Sequence, residues 1–245
     1  MHPLAHAWAK DRQDPAQQGV SWIAAGCVLT LAQENNIMWY TKERHILPHV
    51  QSYLDIDIGR VCFFKNQSIV IPILFQCGWI LSDMRQDIRL SYLLEEMFTI
   101  LGKNPEEPSE DSLPLYDLQS KNLENLGKYR KAIALLQKVV KIKELILAKD
   151  DLTLLFSQHY LASAYRENGQ VEEAVALFEH VVKMKQALAE DDRERLVSQH
   201  ELARVYGENG QTTEAIILLE HVVKTREKVL AAVSYTHLRA HETDS

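Results

Sequence analysis

Histidine pairs at helical spacing are the first candidates for chemistry in this sequence. The sequence has three His-x-x-x-His pairs: His2/His6, His45/His49 and His237/His241. On a helix, this spacing places two imidazoles on one face, where they could bind zinc. However, Pro3 stands where a zinc peptidase carries its glutamate, Pro48 interrupts the second pair, and no third ligand is indicated. We therefore predict no metal site and no cofactor.

Nucleophilic and phosphate-binding motifs are also missing from the sequence. No Ser/His/Asp or Cys/His arrangement has a recognisable local context. A phosphate-binding loop requires Gly-x-x-x-x-Gly-Lys-(Ser/Thr), and Gly102-Lys103 lacks the earlier glycine and precedes Asn-Pro. We predict that this chain is not an enzyme and has no catalytic residues.

Composition and charge limit the class of partner. The 245 residues carry a formal net charge of -7, which argues against nucleic acid or an anionic membrane as the main partner. The longest apolar run, residues 69–81, is too short to span a bilayer. No secretory signal is evident at the first residues. The three cysteines, Cys27, Cys62 and Cys77, lie in apolar stretches, as expected for buried thiols in a reducing compartment. These features predict a soluble, cytoplasmic protein.

The basic residues cluster between Lys121 and Lys149, where they alternate with acidic residues such as Glu124 and Glu144. Mixed charge of this kind is typical of the solvated face of a helix pair. We expect these lysines to be exposed to solvent.

A long internal repeat decides which elements must position any functional residue. The stretch RENGQVEEAVALFEHVV (166–182) recurs 41 residues later as GENGQTTEAIILLEHVV (207–223). Apolar residues follow the i, i+3, i+4, i+7 spacing of an amphipathic helix on both sides of an Asn-Gly turn. Each copy is therefore predicted to be helix, tight turn, helix, and a weaker copy precedes them, with a first helix at about residues 115–126 and apolar positions that continue to Val140. Because one pair cannot bury its apolar stripe alone, we expect an all-α fold, an α-solenoid of stacked antiparallel helix pairs.

This pattern resembles the tetratricopeptide repeat over residues 116–231. The signature positions, which the resemblance implies are structural, are Leu161, Ala162, Tyr165, Gly169, Ala174 and Phe178, then Leu202, Ala203, Tyr206, Gly210, Ala215 and Leu219. The period of 41–42 residues and the acidic connectors LAKDD (147–151) and LAEDD (188–192) resemble the kinesin light chain subtype.

In such repeats the first helix of each pair lines a concave groove that binds a protein or peptide. The resemblance implies that the groove residues here are His159, Ser163, Arg166, His200, Arg204 and Glu208. Arginine and histidine on such a wall suit the carboxylates or backbone carbonyls of an extended peptide.

The amino-terminal half has helical segments without a clean repeat. The opening MHPLAHAWAKDR resembles the end of the winged-helix segment in NB-ARC-type signalling ATPases, and it implies that His2 is the remnant of a nucleotide-sensing histidine, with Pro3 in place of the family's aspartate. Fungal proteins of this class commonly end in such repeats, so Met1 is expected to lie inside a longer protein.

The predicted organisation has five segments: a winged-helix/NB-ARC remnant at 1–19, an irregular helical region at 20–101 with 73–101 as a candidate degenerate helix pair, a linker at 102–115, the repeat array at 116–231, and a non-native tail at 232–245. The tail is set apart because the expected next repeat is missing there.

The function expected from these observations is a non-catalytic protein-interaction scaffold, serving as the sensor or assembly arm of an NB-ARC-type ATPase. The alternatives are a kinesin light chain-like cargo adaptor, a free-standing scaffold, and a catalytic fragment that would require residues absent from the chain. Self-association through the repeats is also expected as a mode of partnering.

Overall fold

The structure, a computed structural model, describes residues 67–243 together with 22–24, 26, 50–51 and 54. Every long element in this part is a helix, which confirms the predicted all-α class. The helices are α1 (Gln67–Asp83), α2 (Asp87–Leu101), α3 (Leu113–Asn125), α4 (Tyr129–Ile146), α5 (Leu152–Glu167), α6 (Val171–Met184), α7 (Arg193–Glu208) and α8 (Thr212–Thr243). The chain divides into two compact units, Met1–Leu126 and Gly127–Ser245.

The first unit contains α1, α2 and α3, which pack against one another. A helix pair is present where a degenerate pair was a candidate, but α1 begins at Gln67, before the expected start. Gly78 lets α1 lie close to α3, because a Cβ built there would lie 2.6 Å from Leu118 Cδ2. The polar contacts Asn122 Nδ2–Ser91 Oγ (2.8 Å) and Asn125 Nδ2–Asp87 Oδ1 (3.0 Å) join α3 to α2.

The segment between α2 and α3, which the sequence suggests as a linker, is held by side-chain contacts. Lys103 Nζ donates to both carboxylate oxygens of Asp111 at 2.8 and 2.6 Å, and these bonds lower the pKa of Asp111 to about 2. The Tyr116 hydroxyl donates to the carbonyls of Asn104 (2.9 Å) and Glu107 (3.0 Å). These bonds fold residues 102–112 back onto the start of α3.

The second unit consists of α4 to α8, in which each helix packs against the next. The α5–α6 and α7–α8 connections are the predicted Asn-Gly turns, with Gly169 and Gly210 both at φ +81°. In each turn the backbone N–H of the residue after the glycine bonds to a carbonyl in the last turn of the preceding helix. Gln170 N donates to Tyr165 O at 2.9 Å, and Gln211 N donates to Tyr206 O at 2.8 Å. The helix–turn–helix prediction for both copies is confirmed.

The acidic connectors begin the first helix of each pair. Asp151 caps α5 by accepting from Thr153 N at 2.8 Å, and Asp192 caps α7 by accepting from Arg195 N at 3.0 Å. Hydrogen bonds from the Thr153 hydroxyl and amide lower the pKa of Asp151. The last acid of each connector therefore satisfies amide groups that a helix start leaves unpaired.

One apolar cluster joins the helices of the two clear copies. Its buried members are Ala162, Ala174, Phe178, Leu202 and Val205. Tyr165 and Tyr206 pack against its edge and are half-buried, as the repeat prediction requires. Residues 212–231 form the second helix of the last pair, and α8 continues from there to Thr243 through most of the predicted tail.

Two further sequence expectations concern apolar segments. Cys77 is buried in α1, and burial raises the pKa of its thiol to about 12; Cys27 and Cys62 lie outside the described residues. Within residues 67–231, no helix combines the length and apolar character needed to cross a bilayer.

Candidate functional site

The predicted groove residues lie on α5 and α7, the first helices of the two clear pairs. His200 and Arg204 are partly exposed and Glu208 is exposed on α7. On α5, Ser163 and Arg166 are buried and His159 is half-buried. The two helices thus contribute differently, with solvent-accessible groups on α7 and inward groups on α5.

A charged cluster that includes two of the predicted groove residues, Arg166 and Arg204, joins α5 to α7. Glu201, which the sequence analysis did not single out, accepts from Arg166 at 3.1 Å and from Arg204 at 3.2 and 3.3 Å. The exposed side-chain fraction is 6% for Arg166, 18% for Glu201 and 47% for Arg204. Arg166 also pairs with Glu167, and His200 Nδ1 lies 3.4 Å from Glu201. Arg204 is therefore the cation of this cluster that can reach a ligand.

His159 has a packing role in this arrangement. Its ring meets that of Phe178 edge to face, with centroids 5.2 Å apart, and its Nδ1 lies 3.3 Å from Ser198 Oγ. The ring therefore connects α5 with both α6 and α7.

The two signature tyrosines form polar bridges to the preceding pair. Gln137 Nε2 of α4 donates to the Tyr165 hydroxyl at 2.9 Å, and the Tyr206 hydroxyl donates to Glu179 Oε1 of α6 at 2.8 Å. Burial, followed by the bond to Glu179, raises the pKa of Tyr206 to about 12. Gln137 and Glu179 occupy the same position of successive repeats, so the bridge recurs with the repeat.

A second recurring bridge uses two buried lysines, of which Lys143 belongs to the cluster that the sequence analysis expected to be solvated. Lys143 and Lys185 are each only 3% exposed, so for Lys143 that expectation is wrong. Lys143 Nζ donates to Ser157 Oγ (2.7 Å) and Thr153 O (2.9 Å). Lys185 Nζ donates to Ser198 Oγ (3.0 Å) and Glu194 O (3.2 Å). The only signal in the sequence was their recurrence, 42 residues apart, each 13 or 14 residues before a Ser-Gln-His.

The remaining predicted positions are repeat-signature residues and histidines. Leu161, Ala162, Ala203 and Ala215 are buried, and Leu219 is half-buried. His2, His6, His45 and His49 lie outside the described residues. Among residues 67–231, no group of three or more His, Cys, Asp or Glu side chains could hold a metal ion.

Comparison with known proteins identifies the repeats. The tetratricopeptide repeat family model matches residues 117–187 and 153–228. No curated protein matches the chain. No family of enzymes is indicated by these matches.

Solved structures resemble the chain over most of its length. A Podosopora anserina protein described as a kinesin light chain with nearly identical TPR-like repeats is 26% identical, with a TM-score of 0.58 over 89% of this chain and 98% of that one. Its Q17M variant is 27% identical, with a TM-score of 0.60 over 85% and 95%. The MamA RS-1 ArsTM double mutant, at 14% identity and a TM-score of 0.51 over 78% and 93%, shares the fold alone. Residues 117–228 of this chain therefore consist of tetratricopeptide repeats in an all-α, solenoid-type fold, the architecture of a protein-interaction scaffold.

Proposed function

We propose that the chain is a non-catalytic scaffold that binds a protein or peptide on the wall formed by α5 and α7. The supporting observation is the cluster of Arg166, Glu201 and Arg204, in which Arg204 remains about half exposed. A guanidinium held in place by a carboxylate loses little freedom when it binds a second acceptor. The ligand class that suits it is an extended segment that presents a carboxylate or backbone carbonyls.

The six groove residues have two roles in this proposal. His200, Arg204 and Glu208 would contact the ligand, because they are accessible on α7. His159, Ser163 and Arg166 would hold the wall in shape from α5, because their side chains are wholly or partly covered.

The test is a charge reversal at Arg204 in the full chain. Peptides would first be selected from a displayed library on the wild-type chain, and their Kd would then be measured with Arg204→Glu. We expect at least about a tenfold weaker Kd, since a contact group is lost and a like charge is added for acidic ligands. Helicity and melting temperature should stay nearly unchanged.

Lys183→Glu is the matched control, because Lys183 is an exposed cation on α6. It should leave the Kd of the selected peptides unchanged. Equal binding by the wild type and Arg204→Glu would contradict the proposal, and unfolding of Arg204→Glu would assign Arg204 a structural role instead.

The wider setting is part of the same proposal. We infer that the scaffold works in the cytoplasm as the sensor or assembly arm of an NB-ARC-type ATPase, with a kinesin light chain-like adaptor as the alternative. The support is the likeness of the first residues to that ATPase class together with the repeats. The coding sequence upstream of Met1 tests it: a Walker motif would establish the ATPase, and heptad repeats would favour the adaptor.

A further inference from the structure

The outer face of α8 carries an exposed apolar stripe. Ile216, Val223 and Leu230 follow one another at seven-residue spacing and are 51%, 52% and 68% exposed. Residues seven apart on a helix lie on nearly the same side. In the part of the chain that the structure describes, no helix follows α8 to cover this stripe.

The same positions are covered in the two preceding second helices. Ile133 and Val140 of α4 are each 8% exposed. In α6, Val175 and Val182 pack against the cluster that contains Leu202 and Val205 of α7. The stripe on α8 is thus the third copy of a surface that twice receives the first helix of a following pair.

The polar anchors of that surface are repeated as well. Glu220 stands where Gln137 and Glu179 bind a tyrosine hydroxyl. Arg226 stands where Lys143 and Lys185 donate to a serine hydroxyl and to a carbonyl in the first turn of the incoming helix. Both Glu220 and Arg226 are exposed on α8. A hydrogen-bond acceptor and a donor therefore lie beside the stripe on α8, at the same positions as the groups that bind α5 to α4 and α7 to α6.

We propose that this face of α8 binds an amphipathic α-helix with a tyrosine eight residues after a serine and Leu-Ala between them. This is the chemistry of the two helices already seated on such faces, which have Ser157 with Tyr165 and Ser198 with Tyr206. The tyrosine would donate to Glu220, and Arg226 would donate to the serine. The apolar residues of the bound helix would cover Ile216, Val223 and Leu230, as α7 covers α6.

The experiment uses the full chain and a fluorescent synthetic peptide with the sequence of residues 192–211, which contains Ser198 and Tyr206. Fluorescence anisotropy gives the Kd for the wild type and for Val223→Asp, which places a charge in the apolar stripe. We expect Val223→Asp to raise the Kd at least about tenfold. Leu145→Asp, at an exposed leucine of α4, is the matched control and should leave the Kd unchanged.

A double-mutant cycle checks the orientation of the bound helix. Replacing the peptide tyrosine by phenylalanine should weaken binding about threefold to tenfold to the wild type, and have no effect on binding to Glu220→Ala. Circular dichroism of each chain variant verifies that it is folded. Arg204→Glu should bind this peptide normally, so failure here and failure of the proposed groove can be told apart.

Three results would overturn the proposal. The first is a Kd that does not change with Val223→Asp. The second is a tyrosine effect that persists in Glu220→Ala. The third is a full chain that forms dimers, loses them with Val223→Asp, and does not bind the peptide. That result would assign the face to a second copy of the chain.

Discussion

At the scale of single residues, the repeated buried lysines show how this chain joins one helix pair to the next. The ammonium of Lys185 is enclosed, so burial lowers its pKa, while Glu194 and Asp192 nearby act in the opposite direction. It remains acceptable in the interior because its donors reach the Glu194 carbonyl and the Ser198 hydroxyl. Each lysine therefore ties the end of one pair to the first turns of the next.

Replacing Lys185 by alanine should destabilise the protein. Two hydrogen bonds from a buried charged donor would be lost, so we expect the free energy of unfolding to fall by about 1–3 kcal/mol. Denaturant titration measures this change. Lys183→Ala, at an exposed position two residues earlier in the last turn of α6, should change stability by no more than about 0.5 kcal/mol. Equal effects of the two substitutions would show that the Lys185 bridge contributes nothing.

At the scale of elements, the turn between α7 and α8 requires the glycine at position 210 but not the glycine at position 207. Gly210 has φ +81°, which side-chain-bearing residues rarely adopt, whereas Gly207 lies inside α7 with nothing within 4 Å of an added Cβ. Both residues are glycines, but only at Gly210 does the backbone conformation require one.

Alanine at these two glycines should act in opposite directions. Gly210→Ala should lower the free energy of unfolding by about 1–2 kcal/mol, because the left-handed conformation is costly for alanine. Gly207→Ala should raise it by about 0.5–1 kcal/mol, because alanine favours the helix interior. Thermal melts of the two variants beside the wild type measure both shifts. Destabilisation by Gly207→Ala would mean that α7 is not a regular helix there.

At the scale of the molecule, stability in the second unit comes from surfaces shared between neighbouring repeats. The buried cluster draws residues from α5, α6 and α7, with Leu218 of α8 packed against it. Such an array gains most of its stability from contacts between neighbours. A defect in one helix should therefore weaken the helices on either side.

Phe178→Ala tests this coupling. Removing a fully buried ring at the centre of the cluster should lower the free energy of unfolding by about 3–5 kcal/mol. Amide hydrogen exchange should show reduced protection in α5 and α7 as well as in α6. Leu145→Ala, at an exposed leucine, serves as the control and should leave protection unchanged. Loss of protection confined to α6 would contradict a shared core.

The sequence by itself determined the helix pairs and their turns. Apolar periodicity and an Asn-Gly at the correct place act over a few residues, so they can be recognised without knowing the rest of the fold. The likeness to known repeats added the signature positions. The structure places the apolar and tyrosine positions in the core or at its edge, and Gly169 and Gly210 in the exposed turns.

Only the tertiary structure decided which charged groups are inside and which can meet a ligand. In the sequence, Lys143 cannot be told from its exposed neighbours, nor Arg166 from Arg204. In the structure, however, Lys143 and Arg166 are buried. Their burial depends on Ser157 and Glu201, which lie 14 and 35 residues further along the chain. The exposure of a charge is set by the helices packed around it, and a pattern of local spacing carries no information about those neighbours.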